Sequence, residues 1–371
     1  MKRIGFLLCL LFPFAAQAQQ PASPSLPEQS FEQFWQAFRD HYAFFPLKQV
    51  DWDATYRTYR PHITAQTPAD SLVQMFGRMV APLHDGHITI SQGETILFKG
   101  ESRRNTFKQN FKTMQPEFWR VAGQQLQAAG FGPLRGLGPD FKGKQPLYVS
   151  RNGNVGYLHL TRNFADISGA IGTEAQEQKD QQKLEKLFSQ ALQQLQGCQV
   201  LLLDIRDNGG GHSGAELAGH FATERVLTSY KALRQPGGYD RFAEPQPMYV
   251  APAAGPRFTG PVLLLTSDQT ASAAEDLTIA LTALPQVTQV GTATKGMLSD
   301  MYSIQLLNGL DVTLSHQRYT TPAGQLLEDV GVPPDVPAEN TLPDLQQQHD
   351  AVLEKALELA RAEMARIRPT K

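Results

Sequence analysis

Residues 199–211 read QVLLLDIRDNGGG, and they set the class of the fold. Gln199 to Ile205 is a continuous apolar run, the mark of a strand buried on both faces; a strand with one wet face alternates instead. The run passes directly into Gly209-Gly210-Gly211. In open α/β sheets, ligands sit beyond the carboxyl ends of strands. Glycines there let a backbone N–H approach a ligand with no side chain in the way. Taken alone, the same glycines are more often a strand-to-helix turn that needs positive φ.

The flanking segments repeat the pattern. Pro146 to Val149 and Val155 to Leu160 flank Asn152-Gly153, a hairpin signal. Gln182 to Leu195 has a strong helical period. Gly211 to Phe221 reads as a helix. Pro261 to Thr266 (PVLLLT) is a second buried strand, followed by an apolar helix over Ala271 to Leu284 and a short strand over Val287 to Gly291. Residues 301–315 read as two strands joined through Asn308-Gly309, and Leu345 to Ile367 as a final helix. Strands alternating with helices predict an α/β core over 146–371. Nearer the N-terminus, Phe31 to Tyr42, Asp51 to Arg60 and Ala69 to Val80 are helical stretches punctuated by Pro61 and Pro68. They predict a helical domain over 19–92, opened by a Pro/Ser-rich lead-in at 19–30. Residues 93–145 have no clean period, apart from a helical stretch over Pro116 to Ala129, and read as an irregular connecting region.

The chain has 371 residues, with 34 Lys+Arg against 36 Asp+Glu. Near-neutral charge without any Lys or Arg run argues against a nucleic-acid partner. Hydrophobic residues at 41% exclude a disordered chain. Residues 1–18 read as a signal peptide: Lys2-Arg3, then the apolar Ile4 to Phe14, then Ala16-Gln17-Ala18. Cleavage after Ala18 removes Cys9 and leaves Cys198 alone, so no intrachain disulfide forms. No later stretch has the ~18 apolar residues of a membrane helix. The expectation is an exported bacterial protein, periplasmic or secreted, with no integral membrane segment once the signal is removed.

Three places carry chemistry. The first is the glycine-rich strand end. The second is Thr270-Ala271-Ser272-Ala273-Ala274-Glu275, after a buried strand and at the start of a buried helix. At a helix N-terminus, N–H groups and the dipole favour developing negative charge, as a nucleophilic serine with an oxyanion hole requires. Ser272-x-x-Glu275 is also a capping box, and spacing alone does not separate the two. The third is His87 in His84-Asp85-Gly86-His87. Among nine histidines it lies at a domain junction beside a strand, where a base near neutral pKa would serve a serine. No third ligand is spaced to make His84 and His87 a metal site.

LHDGHITI, NVGYLHL, LLLDIRDNGGG, PVLLLTS, QTASAAEDL, VGTATKG and LLEDVGVPPD, taken in this order from Phe31 to about Val336, resemble the tricorn-like and C-terminal-processing serine peptidases. The resemblance implies a crotonase/Clp-protease-like β-β-α core with an N-terminal helical cap domain. It also implies a peptide or protein substrate and no metal or organic cofactor. It puts the nucleophile on Ser272 and one oxyanion donor on the Ala273 N–H. The second donor falls on Gly210, with Gly209 as the neighbouring register. Each such donor stabilises a transition state by about 3–4 kcal/mol. The C-terminal-processing branch takes its base from a lysine, and Met297 occupies that place here. The tricorn-like branch uses a histidine, matched by His87, and a glutamate before G-V-x-P-D, matched by Glu328. A serine beside the histidine completes that branch's relay; here it is Gly86, so Glu328 must reach His87 differently, through water. Many relatives carry a PDZ module between cap and core, and residues 93–145 are too short to hold one. Two other readings stay open: a Ser-Lys dyad using Lys295, and a non-catalytic binder of apolar ligands, since the retinoid-binding protein of the retina resembles this family too.

N-terminal sequencing of the exported protein from a bacterial host is expected to begin at Gln19. A product starting at Met1 would refute the signal assignment.

Overall fold

The structure is a computed structural model that describes residues 23–166, 173–212 and 214–367. The expected signal peptide over 1–18 lies outside the described residues.

In chain order, four helices come first: α1 (Leu26–His41), α2 (Phe45–Lys48), α3 (Trp52–Tyr59) and α4 (Ala69–Val80). The hairpin β1 (Thr89–Gln92) and β2 (Thr95–Lys99) follows, then α5 (Thr106–Phe111), α6 (Gln115–Ala128) and β3 (Arg135–Leu137). Next come β4 (Leu147–Asn152), β5 (Val155–Leu160), α7 (Glu174–Gln194), β6 (Val200–Asp204), β7 (Val226–Leu233) and β8 (Gln246–Val250). The rest are β9 (Val262–Thr266), α8 (Ala273–Thr282), β10 (Val287–Gly291), β11 (Met301–Gln305), β12 (Asp311–Ser315), β13 (Gln317–Thr320), β14 (Val336–Pro337), α9 (Leu342–Gln346) and α10 (Ala351–Ile367).

The main sheet has seven strands in the order β14-β10-β9-β6-β5-β4-β3. It is parallel from β14 to β5 and antiparallel at β4 and β3. β6 lies near its centre, and its run of apolar residues has a use on both faces. Leu201 and Leu203 pack into the core with Phe188 of α7 and Leu277 of α8. Val200 and Leu202 pack into the opposite core with Leu353 and Leu357 of α10. The mixed α/β architecture with a helical N-terminal region is the one expected.

The N-terminal helices bury an aromatic core in which Phe34 stacks on Phe76 at 4.0 Å. Trp35 and Trp52 each donate an indole N–H to the other's carbonyl, at 3.2 and 2.9 Å. This core also takes in Leu306, Leu310, Val312 and Leu314. β1 pairs antiparallel with β12, Thr89 opposite Thr313. Helices from one end of the chain and strands from the other therefore share one core, and that packing carries the loop of His87 onto the main sheet.

Several elements depart from the sequence reading. Helix α1 starts at Leu26, inside the lead-in, because Glu28 accepts from both the Ser25 N–H (2.9 Å) and its hydroxyl (2.7 Å). Residues 93–145 hold β2, α5, α6 and β3; short elements packed by distant partners leave no long period to read. Gly211 to Phe221 forms only a 3-10 turn over Ala215–His220. The last helix is interrupted before Asp350, whose Oδ1 caps α10 through the Leu353 N–H (2.9 Å) and pairs with Arg206 (2.7 Å).

Arg206 is fully buried between Asp204 (2.7 Å) and Asp350, with its guanidinium over Phe118 at 5.2 Å. It ties the end of β6 to the start of α10. Removing the cation strands two buried carboxylates. Arg206→Met is expected to lower unfolding free energy by about 3–5 kcal/mol in urea titrations. A change below ~1 kcal/mol would show that the triad contributes no net stability.

Candidate active site

Ser272 stands where β9 gives way to α8. Its backbone is at φ 55°, ψ −126°, a conformation a non-glycine residue adopts only when its surroundings impose it. The constraint is visible. The Ser272 N–H donates to the Met297 carbonyl (3.0 Å) and to Glu275 Oε2 (3.1 Å). The Glu275 N–H bonds to the Ser272 carbonyl at 2.7 Å, and the capping-box arrangement of Ser272 and Glu275 is present at the start of α8. The serine hydroxyl also has a partner outside the helix. That partner is His87, with Nε2 3.2 Å from Oγ.

Glu275 does more than its spacing indicated. Its buried carboxylate also accepts from Thr294 Oγ1 (2.6 Å), the Gly296 N–H (2.7 Å) and the Met297 N–H (2.8 Å). Burial raises its pKa, and these donors oppose the rise.

His87 lies between a 3-10 turn over Ala81–Leu83 and β1. Asp85 Oδ1 accepts from the His87 N–H at 2.8 Å, and Thr313 Oγ1 donates to its carbonyl at 2.6 Å. Its Nδ1 faces Ser315 Oγ at 3.4 Å. For Nε2 to take the serine proton, Nδ1 must carry the other proton, and Ser315 is there to accept it. Burial lowers the His87 pKa, with the Asp85 charge opposing. The imidazole is therefore neutral, and basic, at neutral pH.

Glu328 stands elsewhere than expected. It is buried, and its Oε2 accepts from the Leu298 N–H at 3.0 Å. Burial, then the charge of Asp85, holds its pKa well above the usual carboxylate range. Glu328 is thus bonded to the loop after Met297, and the side chain facing the imidazole Nδ1 is Ser315. Nothing local marks Ser315 in the sequence, because the pairing of β12 with β1 is what brings it to His87. The Lys295 Nζ donates to the Arg104 carbonyl at 3.3 Å. Gly86 and Met297 explain each other. A Cβ on Gly86 would come within 2.6 Å of Met297 Sδ.

The Ala273 N–H, at the first turn of α8, has no acceptor among the described residues. The expected second donor is occupied: the Gly210 N–H donates to Asn208 Oδ1 at 2.9 Å. Gly210 instead gives close approach, since a Cβ there would meet the Ala271 carbonyl at 2.6 Å and Ser272 Cβ at 2.8 Å. On either side of Gly211, the Gly210 carbonyl accepts from Asn163 (3.0 Å) and the His212 N–H donates to Asn163 (3.2 Å). In such a bridge the middle residue's own N–H points the other way, away from Asn163.

A model of peptidase family S41 matches residues 154–338, and one of the tricorn protease C1 domain matches residues 26–81. The chloroplastic carboxyl-terminal-processing peptidase 1 of Arabidopsis thaliana is 31% identical over 143 residues, which is 38% of this chain and 27% of that protein. The carboxyl-terminal-processing protease of Synechocystis sp. is 30% identical over 164 residues, 42% of this chain and 35% of that protein. The chain thus spans about a third of the length of these curated relatives. A solved structure of a putative peptidase from Parabacteroides merdae superposes with a TM-score of 0.71 at 24% identity, over 93% of this chain and 100% of that one. That likeness is one of fold.

The geometry predicts an ordering of variants. Acylation of Ser272 by a fluorophosphonate should follow an acid limb with its midpoint below the ordinary histidine value of ~6.5. The reactivity is present above that midpoint and lost as pH falls through it, because protonation removes the base. Ser315→Ala should slow acylation by about threefold to tenfold, the worth of one hydrogen bond. Glu328→Gln, which mimics the protonated acid, should leave the rate close to wild type. The reverse order would restore Glu328 as the orienting group.

Proposed function

Because the chain belongs to peptidase family S41, we propose that it is a serine peptidase that cuts peptide bonds through an acyl-enzyme on Ser272, with His87 as general base. The observation that carries the reading is the 3.2 Å pairing of His87 Nε2 with an Oγ held on a strained turn at a helix N-terminus. His87 takes the Ser272 proton as Oγ attacks the carbonyl carbon, and Nδ1–H stays on Ser315. The imidazolium then gives that proton to the leaving amine. Water attacks the acyl-enzyme with His87 again as base, and the ester bond to Oγ breaks.

The oxyanion is held by the Ala273 N–H and, in place of Gly210, by the Gly211 N–H. Gly210 keeps its bond to Asn208 and supplies the space. Glu328 acts as a positioning residue. Through Leu298 it steadies the loop whose Met297 carbonyl holds the Ser272 N–H. The histidine base and Met297 at the lysine position favour the tricorn-like branch. In the same reading residues 1–18 direct export, the helical region through residue 92 caps the site, and the core from residue 146 carries it.

Intact-mass analysis after exposure to a fluorophosphonate tests the mechanism. Wild type is expected to gain one adduct, Ser272→Ala none, and His87→Ala to label at least ~10²-fold more slowly. Circular dichroism should show both variants folded. Peptide hydrolysis retained by Ser272→Ala would overturn the proposal. Absence of any adduct on folded wild type would turn attention to a binding role on the same fold.

A further inference from the structure

A cleft of about 300 Å³ opens beside the nucleophile. Part of its lining comes from Ala271, the residue before Ser272, and from Met297, whose carbonyl holds the Ser272 N–H. Lys99 at the end of β2, Lys108 on α5 and Lys295 also line it, against a single carboxylate, Glu101. None of these lysines forms an ion pair among the described residues.

Lys295 is the informative one. It is only 7% exposed, and its Nζ donates to the neutral Arg104 carbonyl. The nearby Asp268 is already committed, its oxygens accepting from the N–H groups of Thr106 (2.5 Å) and Phe107 (2.8 Å). Burial pulls the Lys295 pKa down, against the opposing charges of Asp268 and Glu275, neither of which pairs with it directly. Buried ammonium groups are ordinarily paired, because desolvation is costly unless an opposite charge offsets it. The chain as a whole carries a net charge of -2, so its composition does not account for unpaired cations at this one place.

We infer that this cleft is the subsite for a substrate carboxylate, an Asp or Glu side chain next to the scissile bond. The C-terminal carboxylate of a peptide is the other source of the same group. The cleft has room for one such side chain and is at the small end of the ~300–1,000 Å³ range of ligand pockets. The carboxylate would give Lys295 a directly bonded counter-charge, while Lys99 and Lys108 draw it in from the rim. This inference rests on the peptidase reading above.

The test uses the purified full chain and internally quenched peptides. One set differs only by Glu against Gln on either side of the cleaved bond. A second pair differs only by a free or amidated C-terminus. Fluorophosphonate labelling of Ser272 runs in parallel. Wild type is expected to favour the carboxylate peptide in kcat/KM by about tenfold or more, as a charge-assisted hydrogen bond allows. The ratio should fall to near one in Lys295→Met. It should fall partway in Lys108→Gln, an exposed site where folding is not at stake, and should shrink with added salt. A preference confined to the free C-terminus assigns the subsite to the chain end; one for internal Glu assigns it to a side chain. Normal labelling and turnover with no preference for either carboxylate would overturn the inference alone, as would a preference unmoved by both lysine variants. Loss of both labelling and turnover in wild type would overturn the peptidase reading and this inference with it.

Discussion

The buried carboxylate of Glu275 is the contact on which the site depends. Four donors converge on it: the N–H groups of Ser272, Gly296 and Met297, and the Thr294 hydroxyl. Three of the donors come from the loop after β10 and one from Ser272 itself. The carboxylate thus joins the start of α8 to that loop, and the Met297 carbonyl closes the circuit on the Ser272 N–H. A serine at φ 55° would relax without such bonds. The strain is retained because the surrounding hydrogen bonds leave the backbone no other satisfied arrangement.

The same loop meets the cap. Met297 occupies the space over Gly86, so the residue beside the base has no room for a side chain unless the thioether moves. The base itself is held by Asp85 below its backbone and by β12 alongside it. β12 also supplies Ser315 at Nδ1. The helical cap is bound to β11 and β12 by a common aromatic and aliphatic core. His87 and Ser272 come from distant parts of the chain, and what brings them together is hydrophobic packing rather than polar attraction. The charged groups then fine-tune an arrangement that burial has already made.

Around the site, protonation states follow burial. His87 is kept neutral, and Glu328 is held toward its protonated form. Both effects lower the charge density in a region that excludes water. The cleft next to Ser272 runs against this trend, since three lysines and a single glutamate line it.

The β6 run, the PVLLLT strand and the helices α7 and α8 that flank them were legible from the sequence, because burial on both faces demands continuous apolar residues and no other element needs them at that length. Ser272 and His87 were legible as well, because each sits in a short motif whose chemistry is local. The hydrogen bonds of Glu328 and of the Gly210 N–H were not legible from position in a motif. A motif fixes which residue is near the site, but not where its hydrogen bond goes; Leu298 takes the one and Asn208 the other. Ser315, the lock between Gly86 and Met297, and the cationic cleft had no signal in the chain. Each is made by residues tens to hundreds of positions apart, in a chain whose total charge is nearly balanced. Periodicity and local motifs record what a segment must bury and how it must turn. Which side chains then face one another is decided by the packing of sheet against cap, and that exists only in three dimensions.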